Sequence, residues 1–353
     1  MSTDSVEPRN AGGVAVSAAM VAAADSQGAT DTTATVADVN GARRASMSAG
    51  ATGPASANSA DGTVYDLGYA PHEGPRLGRS AAIRTMIIDG SRRALGLRRK
   101  PWTKVIPWAL IAAAVVPAAW VVALTFVAAG FTLEDAGPFG DPAEFFAIIG
   151  NLTMMFLALV APTLLIPDRE NGVLAIYASR PVRAIDYLLA RGAALALLAS
   201  LFILIPHTIL YFGISALYVD GFGAGLLENG KEIPAILGTT AAYVLGYGAP
   251  AFLVAVFVRR VAIASGVYLL LMFMSGALLE ITPRATEQLV FKLLAPFSLL
   301  WNPWSVRDWL FDREPEQLVL DRVGLEPWVG AIAIVAIAIV TGIIAHRKYR
   351  ETF

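Results

Sequence analysis

The stretch DRENGVLAIYASRPVRAIDYLLARG, Asp168 to Gly192, is the one long hydrophilic segment that is both dense in charge and bounded on each side by a strongly apolar run. It sets Arg169, Arg180, Arg183 and Arg191 against Asp168, Glu170 and Asp186. The mixed charge, Pro181 and the apolar comb of Val173, Leu174, Ile176 and Tyr177 predict a short helix, a turn and a second helix lying against a membrane surface. A segment of this kind can receive force from a partner protein in the water phase and pass it to the two spans it joins.

The runs on either side belong to a chain that is 56% hydrophobic and 16% charged, with a mean hydropathy of +0.59. Soluble proteins average roughly 25% charged residues, so the composition is that of an integral membrane protein. Six runs, at about 105–129, 145–166, 193–219, 234–258, 261–279 and 328–345, can each cross a hydrocarbon core of about 30 Å, which takes roughly 20 helical residues. None of the six contains Asp, Glu, Lys or Arg. The expected fold is therefore an all-α integral membrane domain of six transmembrane helices over 105–346. The absence of cysteine excludes disulfides, thiolate zinc sites and cysteine nucleophiles. The three histidines, His72, His207 and His346, are far apart, and no HExxH pair exists, so no metal site is expected.

Residues 1–63 are dominated by Ala, Ser, Thr and Gly and cannot bury enough surface to offset ordering entropy, which predicts a disordered tail. The apolar patch Val14 to Ala24 lacks the basic n-region of a secretory signal, Asp4 and Glu7 outnumbering Arg9 before it. Residues 64–104 form a basic leader. Between Arg79 and Lys100, Ile83, Met86, Ile87, Ala94 and Leu97 share one helical side and Asp89, Arg92 and Arg93 the other, as in an interfacial elbow helix. Gly90 and Gly96 each weaken that helix by about 1 kcal/mol relative to Ala, and a plain basic linker is the alternative.

Lysines and arginines flanking the spans number eighteen on the side of the Asp168–Gly192 segment and six, spread over longer loops, on the other. Both termini, including the short basic tail 347–353, and the organising segment are thus expected in the cytoplasm, with the chain multi-pass in the cell membrane. On the outer side the first loop carries Glu134, Asp135, Asp141 and Glu144. The last, Glu280 to Pro327, holds Trp301, Trp304 and Trp309. Residues Gln288 to Phe311 are expected either as interfacial or re-entrant helices broken at Pro296 and Pro303, or as a folded loop with its own small core.

Inside the spans the polar residues are few. His207 beside Pro206 either faces a cavity or is satisfied by a neighbouring helix. Asn151 with Thr153 and Thr239 with Thr240 are candidates for interhelical hydrogen bonds or, less readily, for a substrate path. Gly238, Ala242 and Gly246, four residues apart, make one smooth helix face suited to a packing or subunit seam. No carboxylate pair or Gly-x-Ser-x-Gly elbow supports an enzyme, and no Gly-x-x-x-x-Gly-Lys-Ser/Thr loop is present to cradle a nucleotide.

The segment Asp168 to Gly192 resembles the permease subunit of the type-2 ABC exporter class. The likeness lies in an acidic residue, Glu170, followed by Gly172 and Leu174, then the turn Ser179, Pro181, Arg183, then Arg191 opening the next span. Val173 stands where that family commonly has Thr, and Arg191–Gly192 replaces its Gly–Lys order. The leader VYDLGYAPHEGPRLGR is similar to one found in actinobacterial members. The resemblance spans about Arg79 to Arg350. It implies that the segment, with Asp168 and Arg169, forms coupling helices in a groove of a separate ABC ATP-binding subunit. It further implies a second permease subunit, alike or related, and external re-entrant helices before the last span. ATP and Mg would then sit in the partner, with no cofactor in this chain. Glu170 could pair with a basic residue of the partner or with Arg183, Gly172 would permit close backbone approach, and Pro181 would stiffen the turn. The readings left beside it are a membrane-embedded scaffold or receptor, and a stand-alone channel or carrier for a lipophilic solute. Nucleic acid is not an expected partner.

Overall fold

A computed structural model of the chain describes residues 78–97, 101–130, 141–179, 182–286, 288–314 and 318–351. The expected tail 1–63, the leader through Arg76, the residues Glu134 and Asp135, and Arg180 with Pro181 lie outside the described residues. The elements are α1 Arg79–Ala94, α2 Trp102–Gly130, α3 Pro142–Glu170, α4 Val173–Ala178, α5 Ala184–Ala216, α6 Phe222–Asn229 and α7 Ile233–Phe257. They continue with α8 Val261–Gly276, α9 Leu278–Ile281, α10 Leu289–Leu294, α11 Asn302–Leu310, α12 Val319–Arg322 and α13 Trp328–Arg350. No strand occurs among the described residues. Six stretches, Lys104–Val127, Pro142–Glu170, Ala184–Ala216, Phe222–Phe257, Val261–Ile281 and Trp328–Arg350, are long and apolar enough to cross a membrane, so this is an all-α membrane fold.

Helix ends do not coincide with the ends of the apolar runs. α3 continues to Glu170 and α5 starts at Ala184, so Asp168, Asp186 and Arg191 belong to long helices, and of the described residues of the segment only 171–179, 182 and 183 stand outside them. The second helix expected on the membrane surface is the opening of the third crossing. A helix ends where its backbone groups find other partners, and polarity alone does not stop it. At its start, α3 is capped by Asp141, which accepts the Ala143 N–H at 2.8 Å, with Pro142 in the first turn and Glu144 facing the positive end of the dipole. Pro107, Pro117, Pro162, Pro206 and Pro250 all lie inside continuous helices.

α3 and the α6–α7 stretch are the centre of the bundle, 67% and 72% buried over their apolar windows, whereas α2 and α8 are 17% and 22% buried. Lipid offers apolar groups as good an environment as protein does, so crossings associate through close van der Waals fit. Glycines supply it: a Cβ on Gly150 of α3 would collide with the Tyr243 ring of α7, and one on Gly213 of α5 would collide with Val122 of α2.

Between α8 and α13 the chain folds back along α7. The helical breaks fall at the prolines expected to cause them: Pro296 lies in a 3-10 turn, Ala295–Phe297, and Pro303 in the first turn of α11. Pro303 packs on Gly246, Leu310 on Gly238, and Val306 with Ile334 on Ala242. Gly238 and Gly246 are eight residues apart, so α11 runs beside α7 for about 12 Å. The smooth face of α7 is therefore a seam filled from within the chain, by α11 and α13. Trp301 Nε1 donates to the Gly276 carbonyl at 2.9 Å, Trp304 Nε1 to the Tyr247 hydroxyl at 3.1 Å, and that hydroxyl to the Leu300 carbonyl at 3.1 Å. A small separate core of Ala295, Val319, Leu320 and Val323 also forms with Trp301 at its edge, but Trp304 packs on the main core and Trp309 is exposed, so the tryptophans do not make a core of their own.

Gly246→Leu is expected to lower stability by about 1–3 kcal/mol, because its Cβ alone would sit 2.7 Å from Pro303 Cγ. Gly266→Leu, placed in open space, should leave the unfolding midpoint in detergent unchanged or raise it; equal midpoints for both variants would place α11 away from α7.

Candidate functional site

The charged residues of the organising segment divide into two sets facing opposite ways. Asp168 is fully buried and accepts from three side chains. Arg191 Nη2 donates to Oδ2 at 2.6 Å, the Tyr187 hydroxyl donates to the same oxygen at 2.9 Å, and Arg93 of α1 donates to Oδ1. Arg191 is itself fully buried, with Nη1 donating to the Met86 carbonyl of α1 at 3.1 Å and its guanidinium carbon 5.4 Å from the centre of the Tyr187 ring. The Tyr349 ring from α13 stacks on Tyr187 at 5.5 Å. One carboxylate thus joins α1, α3 and α5, and the stacked rings bring α13 against the same point.

Three further contacts extend the joint. Arg169 donates to the carbonyls of Ala255, Val256 and Val258, which a helix leaves without intrahelical partners at its C-terminus, and so fastens α3 to the end of α7. Arg79 clasps Asp186 through two nitrogens, with Nε at 2.9 Å, and Asp186 also accepts the Arg183 backbone N–H at 2.9 Å in the first turn of α5. The side-chain hydrogen bond to Asp186 and the charge of that carboxylate raise the Arg79 pKa above its ordinary value. For Arg93, burial works in the lowering direction and the bonds to Asp168 and Asp89 outweigh it, so its pKa also rises.

Helical spacing puts Arg93 on the polar side of α1, yet the structure turns it into the protein. Leu97, expected on the packed side, follows the end of the helix and is exposed. Gly90 has a packing role: a Cβ there would collide with Arg191 Nη1, so the helix gives up propensity to admit the guanidinium.

The second set forms an exposed ledge. Glu170, Gly172, Ser179 and Arg183 are exposed, as is Ile176, while Leu174 is buried and anchors α4 from beneath. Among the described residues Glu170 forms no ion pair, so the expected pairing with Arg183 is not made within this chain. Gly172 has φ +67 at the start of α4, and a Cβ added there would meet nothing within 4 Å, so within the chain its need is a left-handed backbone and not close approach. Pro181 lies outside the described residues.

The polar residues of the spans do not converge. Thr153, Thr240 and Asn151 each bond to the carbonyl four residues back in their own helix, at 2.7, 2.7 and 3.3 Å, and not to a neighbouring helix. Asn151 is exposed, and the Thr239 hydroxyl is buried without a partner among the described residues. His207 is buried against Phe146, with Nδ1 2.8 Å from the Ile203 carbonyl, and borders a cavity of about 30 Å³ shared with Asn229 and Glu232. Among the described residues no group of three or more His, Cys, Asp or Glu is placed to hold a metal.

Searches against models of known protein families and against curated proteins find no match to the chain. The geometry consists of a tied joint, centred on Asp168, and an exposed ledge mounted on it.

Asp168→Ala should cost about 3–5 kcal/mol, since it leaves Arg191 buried and uncompensated. Combining it with Arg191→Met should recover part of the loss, and Glu170→Ala should not move the unfolding midpoint. Equal midpoints for Asp168→Ala and Glu170→Ala would show that the two sets do not differ as described.

Proposed function

We propose that the chain is the membrane-spanning subunit of an ATP-driven exporter of the type-2 ABC class, coupled through residues 170–183 to a separate ATP-binding subunit. The observation that carries this reading is the contrast within one short segment. Asp168, Arg169 and Arg191 are committed to internal partners, whereas Glu170, Gly172, Ile176, Ser179 and Arg183, on and around α4, are exposed. The ledge is fixed to α1, α3 and α5, and through Arg169 to α7, so a push on it moves several crossings together.

In this reading the arginine-rich end lies in the cytoplasm, following the bias of basic residues. ATP and Mg bind in the partner, whose closure displaces α4 and reorients the crossings between inward- and outward-facing arrangements. A second permease subunit completes the pathway. Glu170 and Arg183, unpaired with each other, supply opposite charges for the partner's groove.

Glu170→Ala and Arg183→Ala should each weaken binding of the ATPase about tenfold, the worth of one charge-assisted hydrogen bond, and lower substrate-linked ATP hydrolysis with no change in folding. Affinity measured between purified subunits checks this. Transport by the lone chain in liposomes without nucleotide, or labelling of a cysteine at Ser179 from outside intact cells, would overturn the reading.

A further inference from the structure

His207 of α5 is 3% exposed, and Phe145 and Phe146 of α3 close over its ring with centroids 5.2 and 4.1 Å away. Its Nδ1 lies 2.8 Å from the Ile203 carbonyl, one turn back along the same helix. A carbonyl oxygen only accepts, so Nδ1 carries the hydrogen of that bond, and the neutral ring then presents Nε2 as a bare acceptor. Nε2 is buried and has no hydrogen-bond partner among the described residues. The ring also faces the Pro142 carbonyl in the first turn of α3, which is a second acceptor. Two buried acceptors brought together satisfy neither, and a donor has to join them.

Pro142 and His207 line a common cavity of about 30 Å³ with Tyr211, Asn229 and Glu232. Tyr211 gives its hydroxyl hydrogen to the Leu226 carbonyl at 2.9 Å, and the Asn229 amide nitrogen donates to the Ser215 hydroxyl at 2.9 Å. Glu232 is half-buried and forms no ion pair among the described residues. Acceptors therefore predominate around the cavity. Its size sets the ligand: a cavity of roughly 10–15 Å³ or more admits one water molecule, which needs two to four polar partners. A small-molecule pocket starts at about 300 Å³, so a larger solute does not fit. Among the described residues no group of three or more His, Cys, Asp or Glu is placed to hold a metal there.

We propose that this cavity is a binding site for one water molecule, which donates one hydrogen to His207 Nε2 and the other to the Pro142 carbonyl. A bridging water is nearly as good in enthalpy as a direct hydrogen bond, and here it replaces the contact of two acceptors by a link. The link joins α5 to the first turn of α3, the turn that Asp141 caps and Arg313 holds. The two alternatives that the sequence leaves for His207, a cavity or a neighbouring helix, become one arrangement: the neighbouring helix satisfies the ring through the cavity. The site does not depend on the transport reading, since it concerns only how the crossings are joined.

The test is solid-state NMR of the full chain in liposomes with isotope-labelled histidine, the His207 ring being assigned by comparison with His207→Gln. A neutral ring protonated on Nδ1 is expected, together with transfer of magnetisation from water protons to Nε2. Ile236→Phe, which enlarges a buried side chain of the cavity wall, should abolish that transfer while the ring keeps its tautomer. A ring protonated on Nε2, donating to Pro142 directly, would overturn the proposal, as would the lack of any transfer from water in the unaltered protein. Transfer that survives Ile236→Phe in the folded variant would place the water elsewhere and overturn it too. A His207 signal that shifts with added ammonium or sodium chloride would assign the cavity to a cation instead. Should Ile236→Phe fail to fold, the tautomer and the transfer in the unaltered protein decide by themselves.

Discussion

The Asp168 carboxylate, with no solvent exposure and two guanidinium groups and a phenol closed around it, constrains the whole arginine-rich end. An ion removed from water costs several kcal/mol unless it is matched in charge and fully hydrogen-bonded, and a membrane-facing bundle gives no cheaper alternative. Asp168 cannot be buried unless Arg191 is beside it, and the two leave room for Arg93 only if α1 lies across α3 and α5. Gly90 then has to be a glycine, because Arg191 occupies the volume of its side chain. The position of α1 against α3 and α5 follows from that one requirement.

The opposite end solves the same problem with different residues. Arg313 reaches back to Asp141 and Glu144 at 2.8 and 2.9 Å and holds the start of α3. Arg322 caps the carbonyls of Leu279 and Thr282, and the buried Arg307–Asp308 pair lies beneath Trp304. Polar clamps therefore secure both ends of the bundle, while its middle is held by glycines and alanines that let helices touch. The clamps resist separation of the helices at both ends, while the small residues between them allow close packing.

Within the organising segment the sequence shows which residues are unusual but not which way they face. Glu170 and Asp168 are two positions apart and chemically alike, yet one is exposed and the other has no solvent exposure. The partner of Asp168 on α1 lies 75 residues earlier, and no local spacing announces it. Asp186 carries a more local sign, since an acid three residues into a helix commonly accepts the N–H at its start. Tyr187 carried no such sign, and neither did Gly90, which reads as a defect until its neighbour across the interface is known.

Six apolar runs, the basic bias along one side of them and the prolines before the last crossing are properties of contiguous residues, so the amino-acid sequence by itself determined that this is an all-helical chain built for a bilayer, and roughly where its helices break. Which face of each helix is occupied depends on groups far apart in the chain meeting at van der Waals distance. Only the tertiary structure could decide that the smooth side of α7 receives α11, that Arg93 turns inward, and that the segment after the second crossing is part anchor and part exposed ledge. The physical reason is that periodicity records how much of a helix must be covered, whereas the identity of the cover is set by charge pairing and shape across the bundle.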